Sequence, residues 1–369
     1  MIVIGADPHK TQHTGAAVDA RTAELRGDLT VVAKEHGHER LLDWARELDP
    51  ERVWAIEDVR HVSGALERFL LARGERVVRV APKHMAGARR SVRERGKSDA
   101  IDALAVARAA LKEGIDTLPA AFLDEGSMEI KLLLDHREDL VGERTRIQNR
   151  LRWHLHDLWP ELRIPSGALD REKWLRRLAG RLARAEQTTR VRIAREQLRR
   201  LRELTRRARE LERQLKALVE AKAPQLLTLH GCGALSAAKL IAETAGAERF
   251  ASEAKFARLA GAAPIPVSSG RSDRHRLDRG GNRQLNRALH QIAISQGRGY
   301  RPAIAYLERK QAEGKSRREA IRCLKRQLAR RVLRLLRGVS EDQATSNLLV
   351  PESPQIAGCS SAVGAVPLT

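Results

Sequence analysis

Acids far apart in this chain are spaced to share a divalent cation. Asp7 ends the apolar run IVIGAD, Glu57 ends the strand-like VWAIE, and Asp99 and Asp102 open the segment SDAIDALAVA. Three positions apart, the last two share one helical face. In α/β architecture the ends of neighbouring strands converge on one sheet edge, so these distant segments could meet there. Like charges gathered in one place repel, and the cluster is stable only with cations among them. Hard oxygen ligands suit Mg²⁺ (or Mn²⁺), and two such ions about 4 Å apart clamp both sides of a phosphodiester during displacement. Taken singly, each acid also has a plainer use. Asp99 and Asp102 suit a helix N-terminus, Glu57 suits a solvated strand end, and Asp7 suits the turn before Pro8.

A second stretch, PVSSGRSDRHRL at 266–277, sets Ser268 and Ser269 beside a glycine. Arg271, Arg274, His275 and Arg276 follow, with Arg279 and Arg283 close behind. A serine hydroxyl has a high pKa and attacks only when activated or set against a charge-stabilised electrophile. Guanidinium forks stabilise a pentavalent phosphorane. The segment carries no Ser-His-Asp order, and a basic surface loop is the alternative reading. It lacks a metal site, which the N-terminal acids could supply. Upstream, LHGCGALSAAKLIAE at 229–243 has the pattern of a helix-hairpin-helix. Gly231 and Gly233 would expose backbone N–H groups to a phosphate at a helix N-terminus, with Lys239 in reach of it. An ordinary tight turn between packed helices is the alternative.

The elements that must position these residues fall into a mixed α/β part followed by a helical part. Residues 1–122 alternate between strand-like and helix-like segments. Three early strands joined by short turns precede a βαβ alternation, which indicates a mixed sheet with helices packed on it. The helix after Ser98 has a good N-cap there and a good stop at Gly114. Residues 123–222 lose all strand signals. Leu201, Leu204, Ala208, Leu211, Leu215 and Leu218 step by three and four, an a/d seam. That seam reads as a coiled coil joining two chains, or as a helical hairpin within one. WHLHDLWPEL and the prolines at 160 and 165 mark the turn between two long helices. Residues 223–338 form a basic, mainly helical unit. The tail 339–369 lacks Lys and Arg and reads as disordered.

The bulk numbers concern partners more than fold. The formal net charge is +22 over 369 residues, which points to a polyanion such as nucleic acid. No apolar run is long enough for a membrane helix, and MIVIGADPHK lacks the plan of a signal peptide. Cys232, Cys323 and Cys359 are scattered and form neither a disulfide framework nor a metal cluster. The cytoplasm, in association with the nucleoid, is the simplest compartment.

The order of acids, one on the first strand, one on a later strand and two on a helix, resembles the ribonuclease H-like nucleases of the Holliday-junction resolvase (RuvC-like) type. A closer resemblance lies in GADPHK at 5–10, WAIED at 54–58 and GKSDAIDALAVARA at 96–109. With LHGCGALSAAKLIAE and the block around PVSSGRSDRHRLDRGGNRQLNRALHQIA, these look like DEDD insertion-sequence transposases. That family includes the Piv-type DNA invertases and is often called the "IS one-ten" family. The resemblance implies a RuvC-like domain, a helical middle and a C-terminal transposase domain. It places Asp7, Glu57, Asp99 and Asp102 on the metal-binding quartet. It also implies a serine that becomes joined to a 5′ phosphate, at Ser269 with Ser268 as the other choice. It further implies double-stranded DNA at the element ends and target as substrate, a homodimer or tetramer, and a structured noncoding guide RNA. The chain departs from many relatives in DRGGN, where Arg279 replaces a lysine before the Gly-Asn pair. Arg and Lys differ in geometry, which leaves that cation's role open.

Rival readings remain at this level. A Holliday-junction or structure-selective endonuclease would use the same acids to activate water. An architectural DNA-binding protein would need the basic surface but not the acids. An actin-like sugar kinase also starts on a strand-Asp, but the glycine-rich phosphate loops it requires are absent.

Overall fold

Side-chain alternation along the first strands divides their residues between two layers, and this sets up everything at the N-terminal end. A computed structural model of the chain describes residues 1–57, 60–80, 98–118, 120–121, 124–269, 272–276 and 281–338. The expected tail, Arg271 and Arg279 lie outside these residues, as do the side chains of Ser268, Ser269 and Arg274.

The strands β1 (Ile2–Pro8), β2 (Gln12–Asp19), β3 (Leu25–Val32), β4 (Arg52–Glu57) and β5 (Val77–Val80) form one sheet in the order β3-β2-β1-β4-β5. β1, β2 and β3 pair antiparallel, whereas β4 and β5 join β1 in parallel. The expected mixed sheet is therefore present. Ile2, Ile4, Ala6, Trp54 and Ile56 point to a layer made by α1 (Glu35–Leu48) and α2 (Arg60–Ala72), packing with Leu41, Leu42, Leu66 and Leu70. Val3, Val53 and Ala55 point the other way, onto α3 (Asp99–Glu113). By the period of two, Gly5, Asp7 and Glu57 share that second face.

α3 begins and ends where its sequence directs. The Ser98 hydroxyl accepts from the Ile101 N–H, and Gly114 ends the helix at φ +82°. Its inner face is small: Ala103, Ala105, Ala107, Ala109 and Ala110 are all buried. This lets the helix lie almost on β1. A Cβ at Gly5 would sit 2.0 Å from the Ala103 carbonyl oxygen and 2.4 Å from the Ala107 nitrogen. Only glycine permits that approach.

The middle of the chain is a pair of antiparallel 34-residue helices, α4 (Glu125–Leu158) and α6 (Thr189–Lys222), with α5 (Glu172–Arg184) between them. The sequence marked the turn at 159–165 but not this third helix. Within the single chain the leucine seam lies along this hairpin, with Leu211 and Leu218 half-buried. Leu201, Leu204, Ala208 and Leu215 are fully or almost fully buried in the single chain, Leu201 and Leu204 beside Ile147, Leu151 and Leu155 of α4 and Leu215 beside the C-terminal helices. Ion pairs lace the two helices together: Arg137–Glu212 at 3.0 Å, Arg200–Glu143 at 2.9 Å and Arg190–Asp157 at 3.1 Å.

The remaining elements are α7 (Gln225–Thr228), α8 (Ala234–Thr244), α9 (Glu253–Leu259), the hairpin of β6 (Ile265–Ser269) and β7 (Ser272–Arg276), α10 (Arg283–Gly299), α11 (Arg301–Ala312) and α12 (Arg317–Leu336). One core joins these helices to the base of the long hairpin, since Ile130, Leu134, Leu215 and Val219 pack with Leu240, Phe256, Leu289, Leu328 and Val332.

Candidate active site

β1 and β4 run in parallel with Ala6 opposite Ile56, so Asp7 and Glu57 follow side by side at the same sheet end. The close contact at Gly5 brings the first turn of α3 over that end, with Asp99 and Asp102 on it. Asp7 is 6% exposed, while Glu57, Asp99 and Asp102 are half-buried. One ligand atom from each of Asp7, His9 and Asp99 lies within 4.8 Å of the other two.

Burial pushes the Asp7 carboxyl up to about 6. His9 opposes this, and the nearby charges of Asp102, Glu57 and Asp99 add to it. Acids far apart in sequence thus act on one another through space. Asp7 Oδ2 is buried and accepts no hydrogen bond from any described group. His9 Nδ1 lies 3.6 Å from it. Among the described residues, no Lys or Arg pairs with Asp7, Glu57 or Asp99.

A buried carboxylate oxygen without a donor, facing further acids, fits a divalent cation. Oxygen donors with one imidazole at the margin suit a hard or borderline ion. Two participants had no assignment from sequence. His9 sits beside Asp7 within the GADPHK stretch. Gln12, at the start of β2, donates from Nε2 to Asp99 Oδ2 at 3.0 Å, and no local pattern marks it. What could have been read is Gly5, whose place two residues before Asp7 on the same strand face implies a close neighbour there.

The serine hairpin lies in the other half of the molecule. Ser268 pairs with Asp273 and Ser269 with Ser272 in the two-stranded ladder, so both serines stand at the closed end of β6–β7. His275 and Arg276, on β7, are exposed. Arg283 is exposed in the first turn of α10.

The glycine pair in the third unit divides. Gly231 has φ +80°, and a Cβ there would meet the Ser295 Cβ at 2.8 Å, so it packs the turn against α10. Gly233 caps α8 with no side-chain acceptor and open space around it. The helix before the turn, α7, is a single turn. Lys239 does not reach for solvent phosphate as expected. It is buried, and its Nζ donates to Glu138 of α4 and, at 3.0 Å, to Gln284 of α10. A lysine on a helix facing two neighbours finds partners in the core, so Lys239 ties three helices together.

The Gly-Gly-Asn stretch has a local reason. A Cβ at Gly281 would fall 2.2 Å from the Gly261 nitrogen. Asn282 Oδ1 accepts from the N–H groups of Gln284 and Leu285, capping α10. Its Nδ2 donates to Glu243 of α8 at 2.6 Å, and Glu243 also takes Lys131 at 3.0 Å.

Comparison with known proteins adds to this geometry. Residues 4–160 match the family described as Transposase (DEDD_Tnp_IS110), and residues 223–307 match the Transposase IS116/IS110/IS902 family. The chain is 27% identical over 340 residues to the insertion element IS900 uncharacterized 42 kDa protein of Mycobacterium paratuberculosis, covering 80% of this chain and 84% of the relative. It is 28% identical over 276 residues to the insertion element IS110 uncharacterized 43.6 kDa protein of Streptomyces coelicolor, covering 63% and 68%. Among solved structures it is similar to T. thermophilus RuvC in complex with Holliday junction substrate, at 18% identity and a TM-score of 0.27, over 33% of this chain and 99% of that one. No described helix is long and apolar enough to cross a membrane. With one family match on the sheet and its acids and another on the serine-bearing helical part, the chain belongs to the IS110 family of transposases, enzymes that cleave and transfer DNA.

Proposed function

We propose that this transposase cuts and rejoins DNA through a serine–phosphate intermediate at a composite site, with Asp7, Glu57, Asp99 and Asp102 as the metal-binding quartet and Ser269 as nucleophile. The observation that carries the reading is Asp7 Oδ2, buried without a donor where Glu57, Asp99 and Asp102 all act on it. Mg²⁺ (or Mn²⁺) held there would polarise the scissile phosphate as a Lewis acid. Gln12 fixes one Asp99 oxygen and leaves the other for a ligand.

Ser269 Oγ attacks phosphorus. The Oγ–P bond forms, the P–O3′ bond breaks, and the 3′ oxygen leaves as a hydroxyl while the 5′ phosphate stays on the serine. Attack by a target 3′ hydroxyl reverses these changes, so the bond energy is conserved and no ATP is consumed. Arg271, Arg274, Arg276, Arg279 and Arg283 stabilise the charge that builds on the phosphoryl oxygens. The uncapped first turn of α8 at Gly233 adds a phosphate contact. Two or more chains bring donor and target duplexes together. A structured noncoding RNA pairing with both duplexes would choose the sequence, while the protein reads backbone and shape. The family resemblance and a net charge of +22 support this part of the reading.

A strand-transfer assay with element-end and target duplexes tests the scheme. Ser269→Ala is expected to abolish transfer while retaining DNA binding, and Ser268→Ala to retain transfer. Ribonuclease treatment is expected to remove target choice. Persistent cleavage by Ser269→Ala would favour a metal-activated water and the endonuclease reading.

A further inference from the structure

Between α10 and α12 lies a cleft of about 760 Å³ whose walls carry Arg283, Arg287, Arg318 and Arg322 and whose floor carries Lys325. No carboxylate is among its described lining residues. The four arginines are exposed, and none has a hydrogen-bond or ion-pair partner among the described residues. In the long hairpin some arginines, such as Arg137, Arg190 and Arg200, do pair across the helices. Lys325 is 6% exposed, and its Nζ donates at 2.6 Å to Asn286 Oδ1, a neutral acceptor. Burial, helped by the nearby charge of Arg322, holds Lys325 down at about 8. A buried ammonium ringed by cations is costly unless an anion joins it.

The cleft is also joined to the serine hairpin. Asn286 Nδ2 donates to the carbonyls of Ala260 at 2.7 Å and Gly261 at 2.9 Å, at the start of the segment that leads into β6. A second cleft of about 850 Å³ shares Gly261, Arg322 and Lys325 and extends to His275 and Arg276 on β7. An anion seated on Lys325 therefore lies in a cleft continuous with one that reaches the hairpin, whose lining is mainly basic but includes Glu313 and Glu319.

We infer that the α10–α12 cleft is a binding site for the phosphodiester backbone of a nucleic-acid strand, with Lys325 at its floor and Arg287, Arg318 and Arg322 along its wall. Guanidinium groups present fork-shaped donors to phosphate, and an unpaired set of them has no other partner on this surface. The chemistry is shared by a DNA strand and an RNA strand. It stands on the charge and geometry of the cleft and does not need the serine mechanism.

The test is equilibrium binding of the full chain, freed of nucleic acid and held in EDTA so that no chemistry occurs. Fluorescein-labelled DNA and RNA duplexes of one sequence serve as probes. Arg287→Gln/Arg318→Gln/Arg322→Gln is expected to weaken binding by about tenfold or more and to flatten the slope of log affinity against log salt by about 2 to 3. Arg287→Lys/Arg318→Lys/Arg322→Lys, which keeps the charge, is expected to recover most of the loss. Loss on the DNA probe assigns the cleft to DNA, and loss on the RNA probe alone assigns it to RNA. The comparison variant Arg21→Gln/Arg40→Gln/Arg68→Gln removes equal charge from exposed sites on the α/β part. Unchanged binding of the cleft variant to both probes, or an equal loss in the comparison variant, would overturn the inference. Because the assay involves no cleavage, failure of the serine mechanism leaves its outcome untouched.

Discussion

The acidic sheet end and the basic α10–α12 cleft are opposite in sign and alike in construction. At the first, Asp7 is buried beside Glu57, Asp99 and Asp102, and no described Lys or Arg pairs with Asp7, Glu57 or Asp99. At the second, Lys325 is buried among arginines with no described carboxylate in the lining. The long hairpin, rich in both signs, pairs some of its charges across the two helices. What sets these two places apart is a buried ionisable group, Asp7 at one and Lys325 at the other, set among charges of its own sign. That difference points to ligands of opposite sign: a divalent cation at the sheet end and a phosphate backbone at the cleft.

The largest effect is expected at the buried acid. Asp7→Asn should lower strand cleavage by about a thousandfold or more, since metal-assisted displacement loses its most enclosed ligand. The same variant separates function from stability. The folded Asp7 carboxyl sits at about 6 against an ordinary value of 3.8, so the folded state binds the extra proton between those values. The metal-free wild type therefore loses stability as pH rises from about 4 to 6. At pH 7 Asp7→Asn should be the more stable protein by on the order of 1–3 kcal/mol, and near pH 4 the two should converge. Thermal melts in EDTA check this. Adding Mn²⁺ or Mg²⁺ should raise the wild-type midpoint and leave that of Asp7→Asn unmoved.

The next effect concerns how the acids are brought together. Gly5→Val would push α3 off β1, because even a Cβ would lie 2.0 Å from the Ala103 carbonyl. A loss of about 3 kcal/mol or more is expected in chemical denaturation, with loss of metal-dependent stabilisation. A smaller change tests which cations belong to the cleft comparison at all. Lys239→Met removes a buried amine that donates to Glu138 and Gln284. It should cost about 1–3 kcal/mol of stability and leave DNA affinity unchanged; weakened DNA binding without destabilisation would return Lys239 to the phosphate contacts. The smallest effect is at the cleft itself. Arg318 and Arg322 are like charges four apart on α12, so Arg322→Gln should stabilise the free protein by about 0.2–0.5 kcal/mol.

Much of the N-terminal half was legible because local pattern and tertiary role agree there. The mixed character of the sheet, the Ser98 cap and the Gly114 stop all follow from alternation and capping. The leucine seam had two partners compatible with one periodicity. A stripe at i, i+3, i+4 says that a face is covered, not whether a second chain or α4 covers it. Lys239 was misread for a related reason. A lysine beside a glycine turn resembles a phosphate ligand until the helices packed on it are known, and those come from segments about a hundred residues upstream and forty-five downstream. Gln12 and the Lys325–Asn286 contact left no sequence signal, since each is a single polar residue whose partner is distant in the chain.

The central claim is that acids on the sheet and serine on the hairpin serve one reaction, and a denaturing gel tests it most directly. The full chain is incubated with labelled element-end DNA, Mg²⁺ and its nucleic-acid partners, then denatured. The account predicts a covalent protein–DNA adduct on the 5′ phosphate side that is absent from both Ser269→Ala and Asp7→Asn. Cleavage by the wild type with no adduct, or an adduct that survives in Ser269→Ala and Ser268→Ala alike, would contradict it.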